Sequence, residues 1–369
     1  MTSQNKKHIA LFIPSLRGGG AERVTYILAN GIAAEKGWRV DLVLAKAEGA
    51  YLSDVNPRVR IVDLNASRTI FALPKLIRYL QREKPDHLLS ALNHANVIVL
   101  VARWLSLRPI QISVVEHNTL SKEQPTNLRG KLTPFLMRLC YPFADNIIAV
   151  SQNAADDLAI TLGLPKDKIQ TIYNPIFDDT LLEKSNEEIT EPLLIDHKTP
   201  KILAVGRLTK QKDYPTLLKA FQILRNKQQA TLIILGDGEL RDKLDAQVKA
   251  MELQNDVHLP GFVSNPYKWM RNCDVFVLSS LWEGLPTVLV EAMACGIPVV
   301  STNCKSGPAE ILENGKYGAL VPVSDYQALA EALEQALAQE RTNYLDYLKE
   351  KFSQGKIVEE YCKLFTQRL

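Results

Sequence analysis

The sequence predicts an α/β fold made of two doubly wound, parallel-sheet domains. Three observations point there. Apolar strand-like runs alternate with helical patterns along the whole chain, as parallel sheets covered on both faces by helices require. The alternation breaks once, at residues 175–200, a polar stretch with three prolines and an acidic middle, and then restarts. Glycine-marked loops recur where strands give way to helices, the position at which open α/β sheets bind ligands. The expected domains are residues 1–178, with 353–369 packing back on them, and residues 195–352.

In order, His8–Pro14 reads as the first strand, followed by the loop Ser15–Gly20 and a helix over Ala21–Ala34. Strands follow at Val40–Leu44 and Val59–Val62, then a helix near Ile70–Glu83. Next come the strand His87–Ser90, a helix near Val97–Leu107 and the strand Ile110–Val115. Leu128–Tyr141 reads as helical despite Pro134. Asn146–Val150, Gln152–Leu162 and Ile169–Tyr173 give strand, helix and strand. Pro175–Pro200 reads as a linker between domains. The second half runs Lys201–Val205 (strand), Tyr214–Lys227 (helix), Thr231–Leu235 (strand) and Glu239–Met251 (helix). Further strands are expected at Val257–Leu259, Asp274–Leu278, Val299 and Ala319–Val321. Tyr326–Ala338, Asn343–Lys351 and Lys356–Gln367 read as the closing helices, the last able to return to the first domain. Two such units suggest a ligand cleft between them.

Bulk properties bound the function. The chain has 369 residues, 46% hydrophobic and 23% charged, with a net charge of +3. That is an ordinary soluble composition and argues against dedicated nucleic-acid binding. Residues 1–180 hold 22 Lys+Arg against 16 Asp+Glu, leaving 22 against 25 for the rest. A mildly basic first half fits an anionic acceptor or membrane surface, and fits ordinary scatter equally. The five cysteines lack CxxC spacing, as expected of reduced thiols in a cytoplasmic protein. The apolar run after the first lysines is only six residues and ends at Pro14, so it reads as a strand rather than a signal peptide. No stretch approaches the length of a membrane span.

The most informative stretch is Leu281–Val300. Gly284 loosens a turn, and Pro286 suits the first position of a helix, where a missing N–H costs nothing. The amides of Leu285, Thr287 and Val288 then face outward and, with the helix dipole, form an anion site. Glu283 and Glu291 bracket it, eight positions apart. A diphosphate at the helix start, with sugar hydroxyls at one carboxylate and ribose hydroxyls at the other, fits this spacing. Incidental glutamates on a buried helix are the bland alternative.

Other strand ends add cations and bare backbone. Gly206 follows a strand and permits close approach; Arg207 can fork onto phosphate oxygens and Lys212 adds a point charge. Lys210 reads as merely exposed. Gly236 and Gly238 flank a similar turn, a weak signal alone. Gly18, Gly19 and Gly20 precede a helix and can wrap an anion or admit an acceptor. They match neither a dinucleotide fingerprint nor a P-loop, which excludes a Rossmann oxidoreductase and an NTPase. His117, in Glu116-His117-Asn118, can reach a sugar hydroxyl or leaving group. Ser151 and Asn174 end two further strands, and each also suits a cap or turn. The tryptophans at 38, 104, 269 and 282 read as packing residues. Arg129, Lys131 and Arg138 alternate with Leu128, Leu132, Phe135, Leu136 and Met137. This basic amphipathic helix either rests on anionic lipid or packs on the core with its basic face solvated.

These motifs together carry a resemblance. GGGAERV at 18–24, EHN at 116–118, AVS at 149–151, YNP at 173–175, VGRLTKQKD at 205–213, GDGELR at 236–241 and EGLPTVLVEAMACGIPVV at 283–300 resemble the retaining GT-B glycosyltransferases of family four, over essentially the whole chain. Within that family the sequence looks closest to bacterial transferases that extend lipid-linked oligosaccharides, including the N-acetylgalactosamine transferases of N-linked glycosylation. One polymerising member has a longer basic helix after the third strand. Ser67–Glu83 carries fewer positive residues here, so processive polymerisation is not implied.

The resemblance implies roles. Arg207 and Lys212 would neutralise the diphosphate of a nucleotide-sugar donor, a UDP-sugar by analogy. Glu291 would bind ribose hydroxyls, Glu283 the hydroxyls of the transferred sugar and His117 the donor sugar. The amides of Leu285 and Thr287, with Gly19 nearby, would face the phosphates. No metal and no cofactor would be needed. Retention by front-side attack requires no enzyme nucleophile, and none is assigned. The expected location is cytoplasmic, with peripheral contact at the inner face of the plasma membrane through Leu128–Tyr141. Two alternatives share the architecture: a nucleotide-sugar 2-epimerase, which would convert donor without acceptor, and a non-catalytic nucleotide-sugar binding protein, which would not turn over.

Overall fold

A computed structural model describes residues 7–35, 37–122, 128–195 and 199–366. The chain divides into two compact units, Met1–Pro175 with Phe352–Leu369, and Ile176–Lys351.

The first unit is built on seven strands: β1 (Lys7–Ile13), β2 (Trp38–Leu44), β3 (Val59–Asp63), β4 (His87–Ala91), β5 (Gln111–Glu116), β6 (Asn146–Ala149) and β7 (Ile169–Thr171). They pair in parallel in the order β3-β2-β1-β4-β5-β6-β7. From Ile9 to Ile13 β1 is buried throughout, which explains its apolar run: a strand covered on both faces has no polar side. The strand order reverses between β1 and β4, so the loops after them diverge and leave a crevice at their carboxyl ends.

A buried charge interrupts the apolar pattern of β2. Asp41 is fully buried in β2 and accepts from Tyr79 Oη at 2.6 Å and from Arg60, with His8 Nε2 at 2.8 Å. Burial pushes its pKa up, but the bonds from His8, Arg60 and Tyr79 outweigh that and hold the carboxyl well below the usual carboxylate range. The folded value lies below the unfolded one, so this group stabilises the fold above its ordinary value of 3.8 and loses that contribution as pH falls further. We expect Asp41→Asn to cost about 3 kcal/mol at pH 7, because three partners lose a buried anion. Urea denaturation should show this gap narrowing below about pH 4.

The helix at Gln354–Thr366 completes the first unit. Val358 fills the notch left by Gly31 on the helix Gly20–Ala34; a Cβ at 31 would stand 2.4 Å from Val358 Cγ2. Phe365 packs on His87 with the rings tilted, 4.4 Å between centroids. The expected last residue of this helix, Gln367, lies outside the described residues.

The helix Leu128–Cys140 forms as expected, with Pro134 inside it. Its orientation differs from one expectation. Met137 and Cys140 face the core, while Leu132, Phe135, Leu136 and Leu139 are exposed. The spacing of those four puts them on one side of the helix. An apolar stripe therefore meets solvent. The side chains of Leu128, Arg129 and Lys131 lie outside the described residues; Arg138 is exposed. Trp104, expected as packing, is 42% exposed and meets Phe143 edge-on.

The second unit has six parallel strands: β8 (Lys201–Val205), β9 (Thr231–Leu235), β10 (Val257–Gly261), β11 (Val275–Leu278), β12 (Val299–Thr302) and β13 (Ala319–Val321). Their order is β10-β9-β8-β11-β12-β13, with the reversal between β8 and β11. The stretch read as a linker is partly helical, at Asp179–Ser185 and Pro192–Ile195. It is fastened within this unit by Lys268 on Glu191 at 2.5 Å and by Asn265 on Glu187 at 2.8 Å. Of its acidic residues, Glu191 is an ion-pair partner and Glu187 a hydrogen-bond partner, while Glu183 and Glu188 are exposed.

Candidate functional site

The second unit gathers the residues singled out by sequence at its strand-order reversal. Gly206, Arg207 and Lys212 follow β8; Ser280 and Glu283 follow the adjacent β11. Lys212 ends a 3-10 turn, Lys210–Lys212, and Asp213 then takes a left-handed φ of 46° that turns the chain into the helix Tyr214–Lys227. The aliphatic stem of Lys212 lies across Gly206, where a Cβ would stand 2.8 Å from Lys212 Cε.

Its ammonium meets Glu283 Oε1 at 2.7 Å. Ser280 Oγ donates to the same oxygen at 2.6 Å, and Gln211 Nε2 reaches Oε2 at 3.3 Å. Glu283 is 6% exposed and stays tolerable there because it is bonded from several sides. Arg207 is exposed and has no ion pair among the described residues. Lys212 is thus engaged, while Arg207 is available.

Beyond Glu283 the helix runs Thr287–Ala294. Pro286 is its N-cap, with φ −69° and ψ 99°, rather than its first helical residue as expected. The reason is local: Pro286 is extended, and its carbonyl takes the first bond, from Leu289 N at 3.1 Å. No side chain caps this start, so the amides of Thr287 and Val288 keep their outward polarity. Leu285 is buried and Thr287 partly exposed. Glu291 is only 1% exposed, within the helix. The turn is backed by Lys305–Gly307. Glu283 N approaches Lys305 O at 3.5 Å, and a Cβ on Gly307 would stand 2.4 Å from Pro286 Cδ.

Gly236 and Gly238 answer a packing demand. A Cβ on Gly236 would stand 2.1 Å from Gly206 O, and one on Gly238 would stand 2.6 Å from Leu208 O. These glycines let the loop after β9 press on the loop carrying Arg207 and Lys212. Leu208 N donates to Asp237 O at 2.9 Å across the same seam.

The first-unit candidates lie at the ends of separate strands. Gly18 and Gly19 follow β1, but their amides already donate to Glu22 Oε2, at 2.7 and 2.9 Å. The anion that the glycine loop was expected to wrap is therefore met by the chain's own carboxylate. The Cα faces of Gly18 and Gly20 are open, with nothing within 4 Å of a Cβ placed there. His117 follows β5, and burial pushes its pKa down to about 4, so the imidazole is neutral at pH 7. Its neighbour Glu116 is buried among Asn96 Nδ2, at 2.9 Å, and the Tyr141 hydroxyl. Ser151 is a helix cap, accepting from Ala154 N at 3.2 Å. Asn174 is buried just past β7.

Sequence reasoning passed over Ser280, Gln211 and Glu22. Glu22 had a legible signal, an acid three residues after Gly19 at a helix start. Ser280 had only its place three residues before Glu283, which means nothing until the turn folds back.

Residues 185–354 match the family described as Glycosyl transferases group 1, and residues 18–179 match Glycosyltransferase Family 4. A Campylobacter jejuni protein, the 4-alpha-N-acetylgalactosaminyltransferase acting on N-acetylgalactosamine-N,N'-diacetylbacillosaminyl-diphospho-undecaprenol, is 32% identical over 345 residues, 90% of this chain and 91% of that one. A second from the same organism, an alpha-1,4-N-acetyl-D-galactosaminyltransferase acting on a diphospho-undecaprenol-linked glycan, is 29% identical and covers 97% of this chain and 98% of its own. Among solved structures, Anabaena HepE in complex with UDP and glucose superposes with a TM-score of 0.81 at 22% identity, over 98% and 99% of the two chains.

Proposed function

The chain belongs to the glycosyltransferases of group 1 and family 4, of GT-B fold, and from that premise we propose that it moves a hexose or N-acetylhexosamine from a UDP-sugar to a lipid-linked or cell-surface glycan. The new bond is α, formed by front-side displacement with retention and without a metal. One observation carries the donor side: Lys212 is held at Glu283 beside the uncapped helix start at Thr287, with Arg207 on the same loop. Charge builds on the leaving diphosphate as the sugar departs, and preorganised cations and amides there lower the barrier. Glu283 accepts from sugar hydroxyls and Glu291 from the ribose. The UDP of the HepE complex and the undecaprenol-linked substrates of the Campylobacter relatives support the donor and acceptor classes.

The test is transfer of N-acetylgalactosamine from UDP-N-acetylgalactosamine to an undecaprenyl-diphosphate glycan, with EDTA present. A product of one added α-linked sugar, by mass and proton coupling, is expected. Donor conversion without acceptor would point to epimerisation instead. Since His117 is neutral well above pH 4, kcat/KM should show no step from it between about pH 6 and 8. A step there that disappears in His117→Asn would contradict its neutral role.

The acceptor side fits a peripheral membrane enzyme at the inner face. No helix among the described residues is long and apolar enough to cross a membrane. The exposed Leu132, Phe135, Leu136 and Leu139 stripe, with Leu107 and exposed Arg138, suits the headgroup boundary of an anionic bilayer. Phe135→Glu should reduce co-sedimentation with phosphatidylglycerol vesicles by about fivefold or more, since it replaces apolar burial with a repelled charge. Turnover of a water-soluble acceptor should be unaffected.

A further inference from the structure

Both oxygens of Glu283 are engaged before any ligand arrives: Oε1 by Lys212 and Ser280, Oε2 by Gln211. Lys212 and Glu283 are also the two groups that the proposed function assigns to different parts of one donor, diphosphate and sugar. An ammonium drawn toward the phosphates gives up part of its bonding to the carboxylate. We propose that Lys212 and Glu283 form an exchange pair that distinguishes an intact nucleotide sugar from a bare nucleoside diphosphate, with Ser280 and Gln211 as positioning residues that hold Glu283 while Lys212 changes partner. The proposal rests on that reading of the donor site.

The chemistry is an exchange of donors. A diphosphate draws the ammonium away, and Oε1 loses a charge-assisted bond in a place where Glu283 is nearly inaccessible to water. An intact donor brings a sugar hydroxyl that replaces it. A bare diphosphate brings none, and the carboxylate is left short of a donor. The cost falls on UDP and not on UDP-sugar, which favours release of the spent nucleotide.

The surroundings suit a carboxylate that must stay put when its cation leaves. Ser280 is fully buried, and its carbonyl accepts from Thr302 Oγ1 at 2.6 Å. Gln211 Nε2 also donates to Trp282 O at 2.9 Å, and Gln211 O accepts from Leu281 N at 2.8 Å. The Gln211 bonds tie the Glu283 turn to the loop after β8, and the Thr302 bond ties it to β12, both independently of the lysine head group. The mobile partner is Lys212, whose long stem can swing over the bare Cα of Gly206.

The experiment measures binding of UDP, pyrophosphate and UDP-N-acetylgalactosamine by calorimetry to the whole chain and to three variants, with thermal midpoints as a folding check. Glu283→Gln removes the anion but keeps a side chain that can bond to Ser280. It should bind UDP and pyrophosphate about tenfold more tightly than the parent, the equivalent of one charged hydrogen bond regained. The preference for UDP-N-acetylgalactosamine over UDP should shrink by a similar factor. Unchanged or weaker UDP binding overturns the exchange pair. Ser280→Ala should weaken UDP-N-acetylgalactosamine several-fold while leaving UDP within about twofold; equal loss of both would reduce Ser280 to a structural role. Lys212→Met should weaken UDP and pyrophosphate. If it does not, or if the parent binds neither, the donor-site reading itself fails; loss there without a gain in Glu283→Gln sinks only the exchange.

Discussion

Lys212→Ala should lower kcat by about 10²-fold, and Arg207→Ala should do the same, as when one transition-state donor is removed from an acyl-transfer site. The two differ in what else they disturb. Arg207 is exposed and has no ion pair among the described residues, so its loss should leave the thermal midpoint unchanged. Lys212 neutralises Glu283, which is 6% exposed. Truncating the lysine strands that carboxylate and should lower the midpoint as well. Initial rates at saturating donor, paired with thermal melts, separate charge supplied to the leaving group from charge supplied to the fold. Near-normal turnover in both variants would contradict the site.

Gly236→Ala should be the most damaging single methyl in the second unit. Gly236 sits at φ +135°, and the added carbon would stand 2.1 Å from Gly206 O. Backbone strain and overpacking each cost roughly 1–3 kcal/mol, so a loss of about 3 kcal/mol in urea denaturation is expected. The displaced segment carries Gly206, over which the Lys212 stem lies, so donor binding should fall with stability. Gly20→Ala is the contrast. Gly20 opens a helix and a Cβ there meets nothing within 4 Å, so its stability should change by no more than about 0.5 kcal/mol. A Gly236→Ala protein as stable as Gly20→Ala would show that the seam can open freely.

The strands were legible because parallel sheets bury both faces, and runs such as KHIALFI and TLIIL admit no other covered element so short. The Glu283–Glu291 stretch was legible because glycine, proline and two acids mark a helix start locally. What escaped was tertiary. The pairing of Lys212 with Glu283 depends on β8 and β11 being neighbours, although 71 positions separate the two residues. Asp41 was an unremarked acid inside an apolar strand; its partners come from β1, β3 and a later helix. The Pro175–Pro200 segment was read as a linker from its polarity and prolines; its two short helices and the partners of Glu191 and Glu187, more than 70 positions away, left no local mark. The glycine loop after β1 was read as receptive to an anion, when Glu22 already supplied one.

The helix at Gln354–Thr366 makes the first unit discontinuous in sequence. Lys7 Nζ donates to Phe365 O at 3.3 Å, across 358 positions of chain. During synthesis the seven strands of that unit leave the ribosome long before the segment that covers His87 and fills the notch at Gly31. The nascent amino-terminal half must wait with that surface bare, while the other unit, continuous from Ile176 to Lys351, has all its own residues. A stop codon late in the gene would therefore injure the part of the protein that was translated first.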